Sequence, residues 1–226
     1  MFSILSIYED GRNYSRYLNA GLTRELTEIF QDMYSYTIAV ELYTQGIMKN
    51  PSLCVMADRR NSIQYRLMSL PSAKERGDDL FQRHEVYESC RIAAIIFSLL
   101  VIFPLPAVNA PLHLLVVMLS HILAASDLPG HWQSAPELLL WILMLGVGAS
   151  TDDTRIWFIV NARRMASKTG IDSERRLKQM LESVMWPNFD CGLDAGALWN
   201  EIIRSSENIT QRRESSEPYL HTQLPP

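Results

Sequence analysis

Two pairs of adjacent aspartates, five histidines and three cysteines are the side chains in this sequence best suited to acid–base, nucleophilic or metal chemistry. The pairs Asp78-Asp79 and Asp152-Asp153 invite comparison with the D-D-x-x-D motif by which helical isoprenoid-processing enzymes hold magnesium and diphosphate. Asp152-Asp153 is followed by Thr154, Arg155 and Ile156, and Asp78-Asp79 by Leu80, Phe81 and Gln82, so each lacks the third carboxylate. Magnesium needs a near-octahedral set of oxygens that two neighbouring carboxylates place poorly. Both pairs read better as negative charge near helix N-termini, where the macrodipole favours it.

Metal chemistry of the zinc type fares no better. A structural site takes four Cys or His ligands in close pairs, whereas Cys54, Cys90 and Cys191 are far apart and none sits in a C-x-x-C. Cys90 has His84 near it but no second pair, and His113 and His121, eight residues apart, have no acidic or thiol partner nearby. They are expected to be core or boundary histidines, and the odd number of cysteines suggests reduced thiols. The motifs G-x-S-x-G, G-x-x-x-x-G-K-[ST] and G-x-G-x-x-G after a strand are absent. The expected inventory is therefore no catalytic residue, no cofactor-binding residue, no metal ligand and no enzyme activity.

Charge narrows the partners. The formal net charge is −4 over 226 residues, with 47% apolar and 20% charged side chains. A packed core should exist, and no broad basic surface of the kind nucleic acid needs is evident. Arg155, Arg163, Arg164 and Lys168 put positive charge along one segment, followed by Arg175, Arg176 and Lys178. A solvated helix face is the default reading, with partner docking its rival and nucleic acid a distant third.

The elements that must position these residues are helical. Leu18, Leu22, Ile29, Phe30 and Met33 recur at helical spacing from about Ser15, followed by a second segment from Ser35 to Ile47. Pro51 and Pro71 punctuate residues 48–77, which read as short helices and loops. From Asp79 to Phe103 no proline or glycine interrupts, predicting a central helix that turns apolar all round after Arg91. Phe103-Pro104-Leu105-Pro106 ends it, and Pro111 opens a second apolar helix, Leu112 to Ala125, forming an antiparallel hairpin with the first. A third apolar helix starts at Ser134-Ala135-Pro136-Glu137, a capping box with proline in the first turn. It should end near Gly146-Val147-Gly148, glycines that either stop the helix or allow close packing. A further helix is expected over Asp153 to Lys168, stopping at Gly170. A stripe of Leu177, Met180, Leu181 and Val184 follows, then one of Leu198, Trp199, Ile202 and Ile203 capped by Asp194. No alternating run closed by Asn-Gly or Asp-Gly supports a strand.

The domain plan is an N-terminal segment 1–14, a helical domain 15–204 and a disordered tail 205–226 rich in Ser, Glu, Gln and Pro. The stretch Ile92 to Ala110 raises the question of a membrane span, but Pro104, Pro106 and Asn109 shorten it below the roughly 20 apolar residues a span requires. The five tryptophans, Trp132, Trp141, Trp157, Trp186 and Trp199, fall in the C-terminal half. They read as core packing or as the walls of a ligand pocket.

From about Tyr87 to Glu201 the ordered segments resemble the fungal-specific transcription factor domain, the regulatory region of fungal zinc binuclear cluster proteins. The resemblance rests on four stretches: Tyr87-Glu-Ser-Cys-Arg-Ile-Ala-Ala94 with Phe97; Phe103-Pro-Leu-Pro106; Glu137-Leu-Leu-Leu-Trp141 through Gly146-Val-Gly-Ala149 with Arg155-Ile-Trp157-Phe158; and Trp186-Pro-Asn-Phe-Asp190 with Asp194-Ala-Gly196-Ala-Leu-Trp199-Asn-Glu201. They cover roughly half the chain in the family's order.

The resemblance implies an all-α, single multi-helix regulatory domain with an apolar central helical hairpin. It also implies a place in the nucleus and transcription regulation through a protein partner, such as a transcription factor or co-regulator, or through a small-molecule effector. The family's six closely spaced cysteines, basic linker and coiled coil are missing, and three scattered cysteines cannot build that cluster. Direct nucleic-acid contact by this chain is therefore not expected, nor is membrane insertion. The alternatives are a helical binding protein for an apolar metabolite or a small multi-helix membrane protein. A pocket closed by Trp141, Trp157 and the histidines would favour the metabolite, and an exposed apolar patch a protein partner.

Overall fold

The computed structural model describes residues 13–49, 51–76, 84–104, 111–126 and 128–214, with side chains through Arg204. Every regular element among them is helical, as the patterning requires, and one continuous core runs from Tyr14 to Ile202.

The first elements depart from expectation. A 3₁₀ segment, Tyr14–Ala20, ends at Gly21, whose φ of 113° only glycine adopts readily. A single helix, α1 (Arg24–Thr44), then runs without a break through the expected boundary before Ser35. It starts where it does because the Thr23 hydroxyl accepts the Leu26 N–H at 3.2 Å. Residues 48–77, expected to be broken, contain a full helix, α2 (Leu53–Ser69), capped by Ser52. Of its residues only Ile63 and Leu67 are buried, too thin a stripe for periodicity to reveal. A short turn, α3 (Ala73–Arg76), precedes the core helices.

The central helix α4 (His84–Phe97) continues into a π turn, Ser98–Ile102, closed by the Phe103 N–H donating to the Ser98 carbonyl at 2.7 Å. The expected start at Asp79 lies outside the described residues. α5 (Leu112–Ala125) has the expected limits and packs against α4. It is apolar all round, yet buries only one face: Leu114 is 66% exposed and Met118 48%. A turn, α6 (Leu128–His131), leads to α7 (Pro136–Ala149).

α7 buries ten consecutive residues, Leu138 to Val147, against α4, α5 and three later helices. Pro136 occupies its first turn as expected, but the cap position is not the expected Ser134. The cap position is Ala135 without a side-chain cap, and Glu137 turns instead toward Arg16 at 3.5 Å. The glycines do not stop α7 either. A Cβ on Gly146 would stand 2.2 Å from the Phe158 ring, so close packing is the use made of this residue.

Phe158 belongs to α8 (Asp152–Lys168), which is followed by α9 (Glu174–Val184) and α10 (Ala195–Glu214). The backbone of α10 continues past residue 204, and residues 215–226 lie outside the description. Leu177, Leu181 and Val184 face the core with Met180 at its edge, as the stripe predicts. Among the described residues no helix is long and apolar enough to cross a membrane.

Candidate functional site

The connection from α9 to α10 is where backbone leaves regular structure while staying fastened to the core. Pro187 disfavours helical geometry in Trp186, and α9 stops at Val184 with Met185 extended at φ −170°. The Met185 carbonyl accepts the indole N–H of Trp141 on α7, while the Met185 N–H donates to the Leu181 carbonyl at 2.9 Å. At the far end the Asp194 carboxylate accepts the Gly196 N–H at 2.9 Å, supplying the expected cap for α10. Buried Leu193 seats against Gly148, where a Cβ would lie 2.6 Å from its methyl carbon.

Between these anchors the connection bounds a cavity of about 400 Å³. Its walls include Glu174 and Lys178 of α9, then Trp186, Phe189, Asp190 and Cys191 of the connection. Trp186 is buried, and among the described residues its indole N–H has no acceptor. Glu174 lies across the first turn of α10, its carboxylate 2.8 Å from where a Gly196 Cβ would stand. The Cys191 thiol is pushed up by burial, with the Asp190 charge adding to it and the Leu193 backbone opposing. It is therefore held as the poorly nucleophilic thiol.

A second junction gathers at the C-terminal end of α7. The Arg155 guanidinium meets the Glu201 carboxylate with two bonds, Nε to Oε1 at 2.7 Å and Nη2 to Oε2 at 2.6 Å. Its Nη1 donates to the Ser150 carbonyl at 3.0 Å and to the Val147 carbonyl. The pair holds Glu201 below the usual carboxylate range, chiefly through the hydrogen bonds from Arg155, and raises Arg155 correspondingly. One side chain thus joins the end of α7, the start of α8 and the body of α10. This is structural chemistry of a bidentate kind.

The other candidates are dispersed. Asp152 and Asp153 occupy the first turn of α8, consistent with their reading as helix-terminal charges; Asp78 and Asp79 lie outside the described residues. His113 and His121 are exposed on α5, a correction to their expected core or boundary placement. Cys90 is buried and its thiol pushed well up by that burial, while Cys54 is exposed. Among the described residues no three His, Cys, Asp or Glu side chains gather as a metal site.

Arg163, Arg164, Lys168, Arg175, Arg176 and Lys178 are solvated as expected. Arg155 leaves that group for the junction with Glu201. Trp141 sits in the core between Phe30 and Phe97, with ring centroids 5.5 and 5.8 Å away, and Trp157 packs edge-on against Phe158 at 5.0 Å. They do not close a pocket with the histidines.

The cavity at Trp186 went unread in the sequence, although Trp186 and Phe189 in a segment also carrying Pro187 and Gly192 were a usable signal. Aromatics in a turn-rich connection must either dock or line something. No protein-family model, curated protein or solved structure matches this chain.

Proposed function

We propose that this chain is a regulatory or interaction domain of transcription control, similar to the regulatory region of fungal zinc binuclear cluster factors. It works in the nucleus through a protein partner or a small effector, without reading DNA itself. The observation that supports this is the way the residues carrying the resemblance meet one another. Trp141 of the third stretch bonds to the carbonyl preceding Trp186 of the fourth, and Arg155 of the third grips Glu201 of the fourth. In this reading these residues are the joints of a scaffold, and none is assigned a catalytic role. The cavity beside Trp186 favours the effector branch, because concave, partly apolar sites with a few polar groups are where small molecules bind.

The test is a fusion of the chain to a heterologous DNA-binding domain in a fungal host, read by a reporter gene and by the position of a fluorescent tag. The expected result is nuclear accumulation and a reporter level several-fold away from that of the DNA-binding domain alone. A tag confined outside the nucleus, with an unchanged reporter, would overturn the reading.

A further inference from the structure

The helix α2 carries the run Arg59-Arg60-Asn61-Ser62-Ile63, with arginines three and two residues ahead of a serine and an apolar residue after it. In the whole sequence only Ser62 and Ser215 have arginine at both of those positions, and Ser215 is followed by another serine. Two guanidiniums so placed can enter an acidic groove through bidentate, charge-assisted bonds, the kind of charge pattern by which protein kinases choose a hydroxyl.

The fold makes this serine reachable. Asn61 and Ser62 are both exposed. A kinase takes its substrate as extended chain, so α2 must open, and it is loosely held: of its seventeen residues only Ile63 and Leu67 are buried. A helix of this length is marginal in water on its own, so little besides that burial resists opening. The Arg60 guanidinium lies 4.6 Å from the centre of the Phe103 ring, yet its Nε is buried with no acceptor among the described residues, so Arg60 gives up little when released. The ties of Gln64 to Ser98 and of Arg66 to Asp32 part with it. The modified helix can also close again. A phosphate on Ser62 would lie one turn from Arg59, at i−3, and from Arg66, at i+4, against Asp58 at i−4.

We propose that Ser62 is a phosphorylation site, modified by a basic-directed protein kinase during openings of α2. The Ser62 oxygen attacks the γ-phosphorus of ATP, and the bond from that phosphorus to the bridging oxygen of ADP breaks. The hydroxyl proton passes to the kinase's catalytic aspartate, and ADP leaves.

The whole chain is treated with the catalytic subunit of the cyclic-AMP-dependent protein kinase and magnesium ATP, and phosphate at each serine is timed by mass spectrometry. The expected product carries phosphate on Ser62, and Ser62→Ala removes that phosphopeptide. Arg59→Ala and Arg60→Ala should each slow modification of Ser62 about tenfold or more, because each removes a charge-assisted bond to the kinase. The sign separates recognition from support of the fold. If the arginines served only to hold α2 in place, losing them would open the helix and speed the reaction. Arg60→Lys keeps the charge and should retain part of the rate, and circular dichroism checks that each variant keeps its helix.

The proposal is overturned if the folded chain takes no phosphate on Ser62, including the case where Ser215 alone is modified. It is overturned equally if the alanine variants react as fast as the parent or faster. The assay reads phosphate on the chain itself, so its outcome is independent of the reporter.

Discussion

Replacing Gly146 with alanine sets two effects against each other, and the structure decides which wins. Gly146 lies inside α7, where alanine normally favours the helix by about 1 kcal/mol over glycine. The added methyl, however, would stand 2.2, 2.3 and 2.6 Å from three carbons of the Phe158 ring. Carbon atoms rest at roughly 3.5–4.0 Å, so ring and helix must separate by about 1 Å or more. Phe158 is fully buried in a core with little room to yield. Overpacking costs about 1–3 kcal/mol and occasionally more; contacts this short with three ring carbons place the case at the upper end, leaving a net loss of about 2 kcal/mol after the helical gain.

Urea unfolding followed by circular dichroism measures it, with the midpoint falling and the slope unchanged. A double-mutant cycle with Phe158→Leu locates the cause. The smaller side chain should lessen the penalty of the alanine, giving a coupling energy of about 1 kcal/mol or more. A Gly146→Ala protein as stable as the parent would refute the argument that this glycine exists to admit the ring.

Three further expectations follow from the joints of the fold. Glu201→Gln should cost about 1 kcal/mol at neutral pH, a figure kept low because both partners of the Arg155 pair are partly exposed. The folded state holds Glu201 below its unfolded value, so this stabilisation is present above about pH 4 and is lost as pH falls through the folded value. Parent and variant midpoints should therefore converge in acid, and a constant gap would contradict the assignment. Trp141→Phe leaves the Met185 carbonyl without its donor and should lower stability by about 1–3 kcal/mol, read from the same urea curves. A thiol-reactive reagent should label exposed Cys54 promptly, Cys191 slowly and Cys90 only on unfolding, which quenched mass spectrometry would order.

What was legible in the sequence was whatever depended on near neighbours. The limits of α5, the proline start of α7 and the buried stripe of α9 follow from apolar spacing and from Pro111 or Pro136 alone. α2 escaped because its neighbours ask little of it: two buried residues in seventeen leave no stripe to detect. The break at Gly21 escaped because Leu22 and Leu26 continue the apolar spacing through a turn, and glycine geometry with a threonine cap overrides it.

The candidate site was less visible still. Arg155 and Glu201 are 46 residues apart, and Trp141 finds its acceptor 44 residues away. Such partners are chosen by helix packing, which periodicity does not encode. For Gly146 the sequence offered helix stop or close contact as equal readings, and only the position of Phe158 separates them.

The burial of α7 also bears on the order in which the chain is made. Ten apolar residues in a row emerge from the ribosome with α4 and α5 already available to cover part of them. The remaining cover, from α8, α9 and α10, is translated afterwards, over about fifty more residues. At roughly 5–20 residues per second that is a wait of about 3–10 s, during which α7 has an uncovered side. A chaperone that recognises apolar helices would find its target there, and slowing translation between Ser150 and Ile202 would lengthen the exposure without altering any contact of the finished protein.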